Sequence, residues 1–172
     1  MKRILVVGVT GAGKSTLART VGRRLGLPYH EMDALYFSGP GWAVNGAFGE
    51  DVARFSAQPR WVVDSLGYPE VRDLLWGRAD TVVWLDYPRH VVLPRVVRRS
   101  LRRSVRREVL FGGNRETWGG WLSREHPVWW SWSQHAARRE EIGRRTRDPR
   151  FAPPETLRFA DPGETAAWLA GL

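Results

Sequence analysis

The sequence predicts an α/β fold in which a parallel sheet carries helices on both faces, and three observations lead there. The run Ile4-Leu5-Val6-Val7 is apolar without interruption and rich in β-branched residues, as a strand buried on both sides must be, and it passes through a glycine-rich turn into a helical pattern. Strand-like and helix-like segments then alternate along the chain. Asp33, Asp64 and Asp86 each follow a strand-like run, at the sheet edge where open α/β sheets bind their ligands.

Gly8 ends the first strand. From Lys14, the apolar positions Leu17, Val21 and Leu25 recur at helical spacing, and Gly26 with Pro28 beyond it supplies a stop. Tyr29-His30-Glu31-Met32 is predicted as a short second strand ending at Asp33. Gly39-Pro40-Gly41 and Asn45-Gly46 mark a long loop, followed by a helix over Phe48 to Phe55. Trp61-Val62-Val63 is the third strand and Thr81-Val82-Val83-Trp84-Leu85 the fourth. From Pro88 to about Val109 a helix is predicted, with Leu93, Val97, Leu101 and Val105 on its buried face and arginines elsewhere. Pro94 either kinks this helix or marks its true first turn. Gly112-Gly113-Asn114 and Gly119-Gly120 interrupt the chain before a helix from near Pro127 to Arg145. Leu157-Arg158-Phe159 reads as the last strand, and Pro162 to Leu172 as the last helix. No internal repeat is present.

At 172 residues the chain is long enough for one domain and too short for two ordinary ones, so 1–172 is expected to be a single domain. Its 42% apolar content suffices for a core without metal or disulfide. Cysteine is absent, which excludes disulfides, thiolate metal sites and cysteine nucleophiles and fits a reducing compartment. The apolar run after Lys2-Arg3 stops at Val7, too short for a signal segment or a membrane span. The expected address is the cytoplasm, without membrane association. The formal charge of +9 points to an anionic partner: nucleotide, phosphorylated metabolite, nucleic acid or membrane surface. Of 27 basic residues only Lys2 and Lys14 are lysines, so arginine clusters carry little weight individually and Lys14 gains weight.

Gly8-Val9-Thr10-Gly11-Ala12-Gly13-Lys14-Ser15, followed by Thr16, has the spacing of a phosphate-binding P-loop. Such a loop must point backbone N–H groups and a helix N-terminus at phosphates with no Cβ in the way, and Gly8, Gly11 and Gly13 meet that need. Lys14 supplies a point charge for the β- and γ-phosphates, and the Ser15 hydroxyl is placed to ligate Mg²⁺. Asp64 is the choice for holding Mg²⁺ through water, with a cap or turn role as the alternative, and Asp86 reads more readily as the turn into the next helix. Asp33, across the cleft from the loop, can orient or deprotonate an acceptor hydroxyl, or else cap a turn near Ala34.

Arg95, Arg98, Arg99, Arg102, Arg103, Arg106 and Arg107 lie on the long helix, and Arg115 follows it. Guanidinium groups that close over a transferring phosphoryl group neutralise its charge, whereas most arginines on such a helix form a solvated face. Arg103, Arg107 and Arg115, nearest the glycines, are the choices for the former role. Trp118, Trp121, Trp129, Trp130 and Trp132 are expected to pack the second long helix, with stacking on an aromatic ligand as the alternative. His30, His90, His126 and His135 show no metal spacing and are expected to be structural or exposed.

Taken with Met32-Asp33-Ala34-Leu35, Trp61-Val62-Val63-Asp64, Trp84-Leu85-Asp86-Tyr87-Pro88-Arg89, Gly113-Asn114-Arg115-Glu116 and Trp129-Trp130-Ser131-Trp132, the loop resembles the bacterial adenylate-kinase-related proteins often labelled DNA topology modulation (FlaR-like) proteins. The resemblance implies a P-loop NTPase three-layer sandwich of the nucleoside-monophosphate-kinase type: a five-stranded parallel sheet, an acceptor segment after strand two, and a helical Arg-rich lid over about 95–135. It also implies that adenine lies between the P-loop side and the segment around Asp161-Pro162. Adenylate kinases carry a Thr-Gly-Asp-like segment after strand two and an Asp-Gly-Phe-Pro-Arg-like one after strand three. This chain has Met32-Asp33-Ala34-Leu35 and Asp64-Ser65-Leu66-Gly67-Tyr68 there. The first of these is similar to the acceptor site of shikimate and gluconate kinases, which favours a hydroxyl over AMP.

The expectation is therefore a monomeric or weakly dimeric kinase that uses ATP and Mg²⁺ and phosphorylates a small-molecule acceptor: a nucleoside, a nucleotide or a hydroxyl metabolite. The alternative is an ATP-binding regulator that contacts nucleic acid. No helix-turn-helix or other reading module supports it, and only weak, salt-sensitive nucleic-acid binding is expected.

Overall fold

The computed structural model describes residues 1–106, 108–114, 127–151 and 155–172. Five parallel strands form the central sheet: β1 (Arg3–Gly8), β2 (Tyr29–His30), β5 (Trp61–Val63), β6 (Thr81–Leu85) and β7 (Glu155–Phe159). Their spatial order is β2-β5-β1-β6-β7, with β1 in the centre. Ile4 pairs with Val62 on one side and Thr81 on the other, so the P-loop leaves the sheet at its middle.

Alternation along the strands sorts side chains onto two faces. Ile4, Val6, Val62, Val83 and Leu85 are buried with Leu17, Ala18 and Val21 of helix α1 (Lys14–Leu25), and Trp168 of α7 (Pro162–Ala170) packs against them. Leu5, Val7, Trp61, Val63, Val82 and Trp84 are buried on the other face. There they meet Val52 and Phe55 of α3 (Phe48–Ser56), Val71, Leu75 and Trp76 of α4 (Pro69–Arg78), and Ile142 of α6 (Pro127–Arg145). These are the three layers expected for the sequence.

Several elements differ from the sequence reading. Strand β2 stops at His30, and Met32–Tyr36 forms a short helix, α2, because Met32 is drawn into the core while its N–H donates to the Asp64 carboxylate at 3.1 Å. Asp33 consequently lies on the first turn of α2 rather than at a strand end. The loop after it contains an antiparallel pair, β3 (Phe37–Gly39) and β4 (Ala43–Val44). Asn114 holds this hairpin, accepting from the Trp42 N–H at 2.9 Å and donating to the Gly39 carbonyl at 3.0 Å.

Helix α5 (Arg89–Arg106) buries Val92, Val96, Ser100 and Ser104, whereas Leu101 and Val105 are exposed. Its buried stripe is thus displaced by one residue from the predicted one, since two serines occupy the face turned towards its neighbours. Pro94 lies inside the helix, beyond its first turn. α6 packs beside α5, and although Trp129 and Trp132 are more than half exposed (55% and 51%), the Arg89 guanidinium of α5 lies over the Trp132 ring at 5.1 Å. Trp118, Trp121, His126 and the side chain of Trp130 lie outside the described residues. No described helix is long and apolar enough to cross a membrane.

Candidate active site

The loop between β1 and α1 bends in a way that only glycine tolerates at two points. Gly11 (φ +85°) and Gly13 (φ +97°) both occupy the left-handed region. A Cβ at Gly11 would stand 2.4 Å from Val96 Cγ2 and 2.8 Å from the Val92 carbonyl, whereas one at Gly13 would meet nothing within 4 Å. Gly11 is therefore held by close approach of α5, and Gly13 by its conformation as the N-cap of α1. No side chain caps α1, so its first N–H groups remain available to an anion. Gly11→Ala is expected to lower stability by about 1–3 kcal/mol, since it adds both strain and a clash. An unchanged melting temperature in thermal unfolding would contradict this packing.

Lys14 lies over the loop and donates to the Val9 carbonyl at 3.1 Å. Burial lowers its pKa, and Arg99 and Arg138 lower it further, while Asp64 and Asp33 oppose the shift without reversing it. Lys14, Arg99 and Arg138 line one cavity, a basic set that suits a polyphosphate. Ser15 lies within hydrogen-bonding reach of Asp64, whose carboxyl is pushed up by burial and by the charge of Asp33 despite the Ser15 and Met32 hydrogen bonds and Lys14. A hydroxyl and a buried carboxylate of this kind suit Mg²⁺, which would favour the ionised carboxylate. Among the described residues no cluster of three or more His, Cys, Asp or Glu side chains could hold a metal by itself.

Asp33 lines a cavity of about 400 Å³ together with Gly8, Thr10, Gly11, Lys14, Ser15 and Asp64. The Tyr68 hydroxyl donates to Asp33 Oδ1 at 2.9 Å, and the Tyr68 ring stacks on Tyr36 with centroids 3.7 Å apart. Burial and the adjacent Asp33 push the Tyr68 pKa up, which keeps the phenol a donor. Arg72, Arg99 and Arg138 complete the cationic wall of the cavity. The Arg72 guanidinium is fixed by Glu141 at 2.5 Å.

The remaining expected residues sit around this centre. Ala12 is buried beneath the loop, and Thr16 is exposed on the first turn of α1. Asp161 caps α7, accepting from the Gly163 and Glu164 N–H groups at 2.6 and 3.1 Å, with Pro162 as the first helical residue. Arg103 is one turn beyond Arg99, close enough to Glu31 to act on its charge, and it does not line the cavity. Arg107 and Arg115 lie outside the described residues. His30 stacks on Phe55 at 4.1 Å, and His135 is buried against the Tyr87 carbonyl at 3.1 Å.

Sequence reasoning passed over Arg72, Arg138 and Tyr68, and did not single out Arg99. The phase of α5 holds the signal for Arg99, three residues after buried Val96 and seven after Val92. Arg72, Tyr68 and Arg138 approach the loop only through tertiary packing, and no local pattern marks them.

The fold and loop together define a three-layer α/β sandwich of the P-loop type, with a five-stranded parallel sheet. No protein-family model matches the chain, and no curated protein matches it in sequence. In structure it is similar to a shikimate kinase from Acinetobacter baumannii solved with shikimate, with a TM-score of 0.56 and 16% identity over 99% of this chain and 90% of that one. It is also similar to a sugar kinase from Janibacter sp. HTCC2649, with a TM-score of 0.53 and 18% identity over 99% and 93% of the two chains. At these identities the likeness establishes the fold, and the chemistry has to be argued from the site.

Proposed function

We propose that the protein is a Mg²⁺-ATP-dependent phosphotransferase that moves the γ-phosphoryl group to a hydroxyl of a small-molecule acceptor. The observation that carries this reading is that the glycine-rich loop and the Tyr68-held Asp33 carboxylate line one cavity. Loop N–H groups and Lys14 bind the triphosphate, and Ser15 and Asp64 are the residues that would hold Mg²⁺, which would supply neutralisation of phosphate charge. Asp33 takes the proton of the acceptor hydroxyl as that oxygen bonds to the γ-phosphorus. The bond from phosphorus to the β,γ-bridging oxygen breaks, and ADP leaves with the bonding electrons. Arg99 and Arg138 oppose the charge of the transferring group, and the same charge-neutralising role is assigned to Arg103, Arg107 and Arg115, the last two outside the described residues. In this reading adenine lies beside Asp161-Pro162.

Tyr68→Phe removes the donor that holds Asp33 and leaves the ring stack on Tyr36 intact. A fall of about tenfold in kcat with unchanged ATP affinity is expected, the size of one hydrogen bond to a charged group. A panel of polyols, sugar acids, nucleosides and nucleotides, incubated with ATP and assayed for ADP release above the no-acceptor rate, identifies the acceptor and provides the kcat for this comparison. If Tyr68→Phe and wild type turn over equally, Asp33 is not positioned by Tyr68.

A further inference from the structure

A second cavity, of about 610 Å³, opens on the other side of α6, and among the described residues only His135 lines both. Its floor is the end of β6. Asp86 there is 1% exposed and accepts from two guanidinium groups, Arg139 at 2.5 and 2.9 Å and Arg158 at 2.9 and 2.5 Å. One carboxylate thus fixes two cations, and both arginines keep about half of their side-chain surface open, 44% and 56%. Arg158 also lies over the Trp84 ring at 4.7 Å, and the buried Trp84 Nε1–H has no acceptor among the described residues. Arg147 and Arg89 stand on the rim, and neither forms an ion pair with a described residue. Gly143 makes room at this point: a Cβ there would be 3.3 Å from the Trp84 ring and 3.7 Å from an Arg147 nitrogen. The lining thus carries four arginines against two carboxylates, Asp86 and Glu140, and its unused hydrogen-bonding groups are mostly donors.

We propose that this cavity is a second binding site, separate from the P-loop, for a small molecule bearing a phosphate group. A phosphate offers acceptor oxygens only, which complements planar guanidinium forks already held in place. Arg139 and Arg158 are pinned before the ligand arrives, so little side-chain entropy remains to be lost on binding. The volume leaves room for more than a bare phosphate, so an ester fits as readily as the free ion.

The test uses the full chain carrying Lys14→Ala, so that the loop does not compete for the probe. Inorganic phosphate and glycerol phosphate are each titrated by calorimetry at physiological ionic strength. One molar equivalent is expected to bind, and adding Arg89→Gln with Arg147→Gln is expected to weaken it about tenfold or more, with the melting temperature held. The relative affinities of the two probes tell a free-phosphate site from an ester site. A charge-matched control, Arg23→Gln with Arg54→Gln, is expected to bind like the parent. Absence of binding by either probe, or equal loss in the control, would overturn the proposal. The outcome is independent of phosphoryl transfer, because it is read in a background where the P-loop lysine is gone.

Discussion

Lys14→Ala is expected to lower kcat by about 10²- to 10³-fold or more and to weaken Mg-ATP binding. The ammonium is tethered over the loop by the Val9 carbonyl at 3.1 Å, so its charge sits where the β- and γ-phosphates would lie. Arg99 and Arg138 line the same cavity, but they belong to α5 and α6 and cannot occupy the position above the loop. Only one other lysine, Lys2, exists in the chain, and it stands just before β1, at the end opposite the loop, where its backbone N–H donates to Asp80. Calorimetry with Mg-ATP and steady-state turnover on one preparation check the expectation. Unchanged affinity and turnover would mean that this loop is not the phosphate site.

Asp33→Asn should leave nucleotide binding and melting temperature nearly unchanged while reducing transfer by about 10²- to 10⁴-fold, the usual range for loss of a general base. Asparagine retains the oxygen that accepts the Tyr68 hydroxyl, so the stack of Tyr36 and Tyr68 has no reason to move. What disappears is the group able to take a proton. The expected pattern is thus a fall in kcat with constant ATP affinity. If the substitution instead lowers the melting temperature and spares transfer, Asp33 serves the turn at the start of α2, and the argument for a hydroxyl acceptor loses its main residue.

The sheet was legible because its signals are local. Ile4 to Val7 and Val82 to Leu85 are unbroken apolar runs, and each proved to be buried throughout. The P-loop was legible for the same reason, since its glycines are dictated by the backbone at their own positions. Helix α4 went unrecognised: its buried Val71, Leu75 and Trp76 are mixed with half-buried Leu74 and exposed Asp73 and Gly77, so no clean stripe appears. The face of α5 was misread because Ser100 and Ser104, not Leu101 and Val105, are buried. Asp86 was read as a turn residue, and its pairing with Arg139 and Arg158 depends on partners 53 and 72 positions away. The acceptor side was the least legible part, because Tyr68, Arg72 and Arg138 meet Asp33 and Lys14 only after α4 and α6 have packed on the sheet.

The measurement that bears most directly on the proposed chemistry follows the phosphorus itself. The protein is incubated with Mg²⁺ and ATP labelled at the γ-phosphate, together with each member of the acceptor panel, and the labelled products are separated. Label is expected on a hydroxyl of at least one acceptor, in amounts that fall together in Lys14→Ala and Asp33→Asn. Label appearing only as inorganic phosphate, at a rate no acceptor changes and Asp33→Asn leaves intact, would contradict a phosphotransferase and leave an ATP hydrolase in its place.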